Sequence, residues 1–174
     1  YSARFSNAAF QQYRFDTNGQ NVTLASALTS LGGAFTKLGT GTATLTGTNS
    51  YSGGTTVSAG SLVGTTTSLQ GAITNNAAVT FDQSTSGIYS GNMSGNGSLS
   101  KLGSGAITLS GSNSFSGGTT LTAGTLALGS ASAIGSDGTI TFGGGTLQAT
   151  ASNTTDYSAR FSNAAFQQYR FDTN

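Results

Sequence analysis

A chain of 174 residues is long enough for one core, but with 6% charged residues, 27 Gly, no Pro, Cys, Trp or His and a net charge of +1 it is not an ordinary globule, in which about a quarter of residues carry charge. The composition excludes disulfides and thiol chemistry, and the six cations are scattered among five Asp instead of forming a patch for a polyanion, so nucleic acid is not an expected partner. No apolar run approaches the roughly 20 residues that cross a bilayer. Gly/Ser/Thr-rich sequence of this kind can remain disordered for want of apolar surface. Against that, apolar–Thr–apolar triplets recur with strand alternation, as at Val22-Thr23-Leu24, Ile107-Thr108-Leu109 and Ile140-Thr141-Phe142.

The first block, Tyr1 to Asn18, reads YSARFSNAAFQQYRFDTN, and Tyr157 to Asn174 repeats the same eighteen letters at an offset of 156 (157 − 1). Such a period points to stacked units, and the ends of the chain are expected to be cuts through an array. Within the block, residues around Ala3-Arg4-Phe5 and Gln12-Tyr13-Arg14-Phe15 predict two strands closed by an Asn18-Gly19 turn. Asn7 to Gln12 could instead form a helical turn. A short strand follows at Asn21 to Leu24.

A second repeat begins at Phe35. Residues 35–63 and 99–127 align without a gap at an offset of 64 (99 − 35), with like-for-like exchanges such as Tyr51 against Phe115 and Val57 against Leu121. Each copy is cut by Gly, Asn or Ser turns into strands of about three to five residues. One such strand offers one or two apolar side chains, too few for a core unless successive coils stack them. Ordinary parallel crossovers need about a dozen residues, so short turns between parallel strands leave only a coiled form. Taking about 22 residues per coil, 64 residues make about three coils, and the 156-residue unit makes about seven, rising about 34 Å. The expected inward positions are Phe15, Val22, Leu24, Leu45, Val57, Leu62, Val79, Phe81, Ile88, Ile107, Leu109, Leu121, Leu126, Ile140, Phe142 and Leu147.

The pattern K-L-G-[TS]-G-x-x-T-L-[TS]-G-x-N-S-[YF]-S-G-G-T-T-[VL]-x-A-G-[ST]-L, at Lys37 to Leu62 and Lys101 to Leu126, resembles the autotransporter-associated β-strand repeat of Gram-negative passenger proteins. The resemblance implies an all-β, right-handed single-stranded parallel β-helix, exported and displayed at or beyond the cell surface. On this reading residues 1–156 are one solenoid unit and 157–174 begin the next.

Chemistry has little to work with. Without His or Glu, acid–base catalysis would fall on Asp16, Asp82, Asp137, Asp156 or Asp172, none near another in sequence and most in turn-like settings. No enzyme, cofactor or metal site is therefore expected. Gly143-Gly144-Gly145 is followed by Thr146-Leu147-Gln148, not by the Asp of a calcium roll, and Gly39-Thr40-Gly41 and Gly53-Gly54 lack the Lys-Ser/Thr of a phosphate loop. Thr pairs at 40/42, 42/44, 44/46 and 139/141 could line an ice-binding face. They are expected to be ordinary outward strand positions, with Val79-Thr80-Phe81 and Leu126-Ala127-Leu128 breaking the series. Aromatics of the duplicated block are expected inward, with Arg4 and Arg14 outward.

These readings converge on an extracellular β-solenoid stalk, fibre or filament, with adhesion as one use, whose expected partners are copies of itself or further units of the same chain stacked head to tail and, where it adheres, glycans or other cell surfaces. The alternative is a passenger domain that binds or cleaves carbohydrate, which a cluster of Asp82, Asp137 or Asp156 in one groove would favour.

Overall fold

The computed structural model describes residues 5–173. Among them seventeen strands are joined by turns, with one 3-10 turn at Ser158–Arg160 and no α-helix. In chain order they are β1 (Gln12–Asp16), β2 (Val22–Leu24), β3 (Ala34–Leu38), β4 (Thr42–Leu45), β5 (Thr55–Val57) and β6 (Ser61–Gly64). Then come β7 (Ile73–Asn75), β8 (Ala78–Asp82), β9 (Gly87–Tyr89), β10 (Met93–Ser94), β11 (Ser98–Leu102) and β12 (Ala106–Leu109). The last are β13 (Thr119–Leu121), β14 (Thr125–Leu128), β15 (Ile140–Phe142), β16 (Thr146–Gln148) and β17 (Phe171–Asp172). The strand expected around Ala3-Arg4-Phe5 falls largely outside the described residues, and Asn7 to Gln12 forms turns leading into β1.

Every strand pairing is parallel, and the strands make three sheets. The first face carries β1-β3-β5-β7-β10, the second β2-β4-β6-β8-β11-β13-β15, and the third β9-β12-β14-β16-β17. The chain passes from face to face and returns one rung higher, making a β-solenoid of about eight turns. Each strand therefore pairs only with its equivalents one rung below and above, as in other stacked-repeat architectures.

Register fixes the length of a turn. On the second face, Val22, Ala43, Leu62, Val79, Leu99, Thr119, Ile140 and Phe161 lie one above another. These seven steps cover 139 residues (161 − 22), so a turn takes about 20 residues, two fewer than the sequence suggests. At about 4.8 Å per rung the column rises about 34 Å.

A shorter turn changes how the repeats lie. The 64-residue offset is three turns and one face: β3 and β5 lie on the first face, while their counterparts β11 and β13 lie on the second. Likewise β4 and β6 lie on the second face and their counterparts β12 and β14 on the third. The two copies are thus not stacked over each other, as three whole coils would require, but displaced around the axis. The 18-residue block shifts too, with β1 on the first face and β17 on the third.

Alternation explains which residues build the core. Strand residues alternate between the faces of a sheet, and inward columns such as Leu24–Leu45 and Phe81–Lys101–Leu121–Phe142 are almost fully buried. The inward expectation for the duplicated block's aromatics holds for Tyr13 and Tyr157 but not for Phe10 and Phe166, 74% and 98% exposed, which sit at positive φ in a turn and not on an alternating strand, nor for Tyr169 and Phe171. The other expected inward residues are buried or half-buried with one exception. Ile88 is 66% exposed, because in Gly87-Ile88-Tyr89 the bulkier Tyr89 takes the inward position and its neighbour must point out.

Candidate functional site

The five Asp do not form one site. Asp16 ends β1, where its carboxylate accepts the Asn18 amide at 2.8 Å, and Asp82 ends β8. Asp137 sits in the turn before β15, three rungs above β8, and accepts the Ser136 hydroxyl at 2.9 Å. Asp156 accepts the Ser158 amide at 2.8 Å, which holds its carboxyl below the usual range. Asp172 accepts Gln148 Nε2 at 2.9 Å on the third face. Asp137 and Asp156 line neighbouring shallow clefts on either side of Arg160, and Asp82 is remote from both. The grouping of Asp82 with either of them, which a carbohydrate-cleaving groove would have favoured, is not formed. Among the described residues no three His, Cys, Asp or Glu gather as a metal ion would require, and no helix is long and apolar enough to cross a membrane.

Arg160 folds back onto the rung beneath. Its guanidinium donates to the carbonyls of Gly138 at 2.8 Å, Gly135 at 2.9 Å and Ile134 at 3.2 Å, and also to that of Asp137, while lying 5.4 Å from the Tyr157 ring centre. It is the counterpart of Arg4, which lies outside the described residues. The outward placement expected for this position does not hold at Arg160, because the tight 134–138 turn offers it converging carbonyls. Arg14 is exposed as expected.

The outer hydroxyls form ladders. On the second face Thr23, Thr44, Val63, Thr80, Ser100, Thr120 and Thr141 are in register. Thr80 therefore continues the series instead of breaking it, and Leu126–Leu128 lies on the third face. Val63 interrupts the hydroxyl series, and the third face carries Ile88, Thr108, Ala127 and Gln148 at the equivalent positions.

The chemically unusual groups are inside. Lys37 and Lys101, the first residue of each repeat motif, are 0% and 1% exposed. Lys37 Nζ donates to Thr17 Oγ1 (3.0 Å) and to the carbonyls of Leu38 (2.8 Å), Gly39 (2.7 Å) and Ala59 (3.2 Å). Lys101 Nζ repeats the arrangement on Leu102 (2.6 Å), Gly103 (2.8 Å) and Ala123 (3.3 Å). The turn depends on Gly39 and Gly103, at φ +72 and +71; a Cβ at Gly103 would meet the Gln83 carbonyl at 2.3 Å. The ammonium thus fastens a turn to the rung above it. Composition had suggested only scattered cations; the signal available was the recurrence of Lys at the same motif position on an alternating strand.

Burial pushes both lysines below their usual range, and Asp16 and Asp82 partly oppose the shift. Burial pushes Tyr51 and Tyr89 up. Between the lowered native lysine pKa values and about 10.4, the unfolded chain holds more protons than the native one, so stability rises with pH. Above about 10 the unfolded tyrosines ionise while the buried ones stay protonated, and stability falls. Melting temperature is expected to climb once pH passes the lowered lysine values and then to drop as the unfolded tyrosines ionise; a steady fall through the alkaline range would contradict the downward shift of the lysines.

Asn49 and Asn113 serve faces where the repeat has no strand. Asn49 Oδ1 accepts Leu28 N from the rung below at 2.8 Å, and its Nδ2 donates to Ser68 O above at 2.7 Å. Asn113 does the same with Met93 N (2.7 Å) and Ala133 O (2.6 Å). One side chain here replaces two links of a backbone ladder.

The exchange of Tyr51 for Phe115 has a cost that its volume hides. Tyr51 OH and Thr55 Oγ1 are 2.7 Å apart, whereas Thr119, the counterpart of Thr55, has a buried hydroxyl with no partner. Phe115→Tyr is expected to supply that partner and stabilise the chain by about 1 kcal/mol, read by urea denaturation; no gain would show that the second copy lacks room for the hydroxyl.

Residues 35–63 and 99–128 match the model of the passenger-associated-transport-repeat. No curated protein and no solved structure matches the chain. The matched segments are those that carry the resemblance to the autotransporter passenger repeat, which is borne out. With the solenoid, they support a passenger-type structural domain.

Proposed function

We propose that the chain is a non-catalytic length of stalk, secreted or displayed at the surface of a Gram-negative bacterium, in which stacked rungs project whatever lies beyond them. The observation that carries this reading is where the repeat motif places its shared residues. Lys37 and Lys101, Leu45 and Leu109, Asn49 and Asn113, and Leu62 and Leu126 are all buried. The repeat therefore encodes how one rung holds the next and leaves the outer face free to vary. Axial backbone bonds, apolar columns and the lysine and asparagine links resist extension and proteolysis, and a nearly uncharged shell is insensitive to external salt.

A glycan-binding role has weaker support, since the guanidinium of Arg160 in the Asp137–Asp156 region is already bonded to four backbone carbonyls. Antibodies raised against the folded chain test the surface reading on intact cells of the source organism. Labelling without permeabilisation is expected; signal only after lysis would overturn the reading.

A further inference from the structure

We propose that Asn18 is a site of spontaneous covalent modification: its side-chain amide converts to a carboxylate while the chain stays folded, and the change loosens the Lys37 cage. The chain has two Asn-Gly pairs, Asn18-Gly19 and Asn96-Gly97. Such pairs react because glycine lacks the Cβ that elsewhere shields the following amide nitrogen. The Gly19 nitrogen attacks Asn18 Cγ, yields its proton to solvent base and expels Nδ2 as ammonia, closing a cyclic imide. Water then opens the imide at either carbonyl. One opening leaves aspartate; the other leaves isoaspartate, whose Cβ has joined the main chain. A water is consumed and an ammonia released, and nothing is oxidised or reduced.

The fold treats the two pairs differently. Gly97 is buried and its N donates to Asn75 O at 2.8 Å, so attack there needs that bond to open first. Asn18 and Gly19 are both exposed, and among the described residues neither the Asn18 side chain nor the Gly19 amide has a hydrogen-bond partner. Thr40 lies over Gly19 with rungs both below and above it, and it too is exposed with an unbonded amide, so the openness belongs to this corner of the stack. Asn18 and Gly19 take positive φ, at 46 and 78, in a turn closed by the bond from Gln20 N to Thr17 O at 2.8 Å. Asp16 accepts the Asn18 backbone amide at 2.8 Å, which ties down neither of the reacting atoms. An exposed turn held this lightly opens locally at little cost, and opening lets the side chain reach the next nitrogen.

The consequence follows from what the turn touches. Thr17 is 3% exposed; its Oγ1 accepts Lys37 Nζ at 3.0 Å, and its N donates to Leu38 O at 3.2 Å. The rung above leaves no slack, since a Cβ on Gly39 would meet Asn18 N at 2.9 Å and Thr17 N at 3.2 Å. Isoaspartate adds a methylene to the main chain at this place and so displaces Thr17 from Lys37. Aspartate adds a charge near Asp16 without lengthening the chain, and its effect is smaller. Beneath Lys101 the corresponding turn runs Asp82-Gln83-Ser84 and holds no Asn-Gly pair. The two cages therefore age differently. The proposal goes beyond the stalk reading and does not rest on it.

Peptide mapping of the folded chain after warm incubation at mildly alkaline pH tests the step. Residue 18 is expected to convert about tenfold faster than residue 96, the factor that one backbone hydrogen bond can impose, and in denaturant the two rates should converge. Equal rates in the folded chain, or faster conversion at residue 96, would overturn the proposal. Asn18→Gly suits positive φ and carries no side-chain amide, which makes it the control for general ageing. The aged wild-type chain is expected to melt lower as its isoaspartate content rises, while Asn18→Gly aged beside it keeps its melting temperature. An unshifted melt with isoaspartate present at residue 18, or an equal fall in Asn18→Gly, would refute the link to the Lys37 cage.

Discussion

Ile107→Asp is expected to unfold the chain cooperatively, with a loss of about 4 kcal/mol or more. Ile107 is fully buried on the third face, between Gly87 below and Leu126 above. A carboxylate there would have no cation beside it, and burying an unpaired charge is among the most costly single changes. Total stability of a domain is only about 5–15 kcal/mol, and each rung is held by its neighbours, so the defect divides the stack. Leu45→Asp should act alike on the second face, where Leu45 lies over Leu24. Circular dichroism melting checks both; unchanged melting for either would refute the inward assignment.

Lys101→Met is expected to cost about 2–4 kcal/mol even though it removes a buried charge. Two effects compete. Loss of the ammonium ends its desolvation penalty, but the carbonyls of Leu102, Gly103 and Ala123 stay where the turn holds them and lose their donor. Unpaired buried polar groups cost about 1–3 kcal/mol each, and Met can satisfy none of them, so the second effect dominates. Lys101→Arg should not rescue, since a planar five-donor fork does not fit a cage built for a compact ammonium. Lys37→Met should act in the same direction but cost less, because the Leu38 carbonyl keeps the Thr17 amide at 3.2 Å and the Thr17 hydroxyl at 3.3 Å as donors. Denaturant titration reads all three; a stabilised Lys101→Met would show that the cages are a burden the fold merely tolerates.

The fold was legible because its signals are local and repeated. Period-two alternation at Val22-Thr23-Leu24 and Ile107-Thr108-Leu109, Gly-rich turns and strands too short to stand alone admit few architectures besides stacking. Ile88 was misplaced because alternation fixes which residues share a face but not which set faces inward; Tyr89 decided it. The turn length was overestimated because the gaps between rungs vary from 17 residues, at Leu62 to Val79, to 24, at Leu147 to Phe171. That small error concealed the displacement of the repeats, since one face is only about a third of a turn. The interior lysines and asparagines were hidden by residue type, as both are usually solvent-facing. Only the recurrence of Lys37 at Lys101 and of Asn49 at Asn113 marked them.

The displacement also bears on the stalk. A 156-residue step carries β1 on the first face to β17 on the third, so successive units would present any surface feature on different sides and return to the first side every third unit. A stalk built this way would display its outer residues all round its axis.

The most direct measurement is the distance between spin labels on outward positions of one chain. Thr36, Thr56, Thr74 and Ser94 form one column on the first face, so labels at Thr36 and Ser94 stand three rungs apart, about 14 Å between backbones. Ser100, the counterpart of Thr36 by the repeat, lies on the second face. The solenoid described here predicts a shorter distance for the 36/94 pair than for the 36/100 pair. The opposite order would mean that the repeats stack whole turns apart, and would contradict the register on which the lysine cages and the stalk both depend.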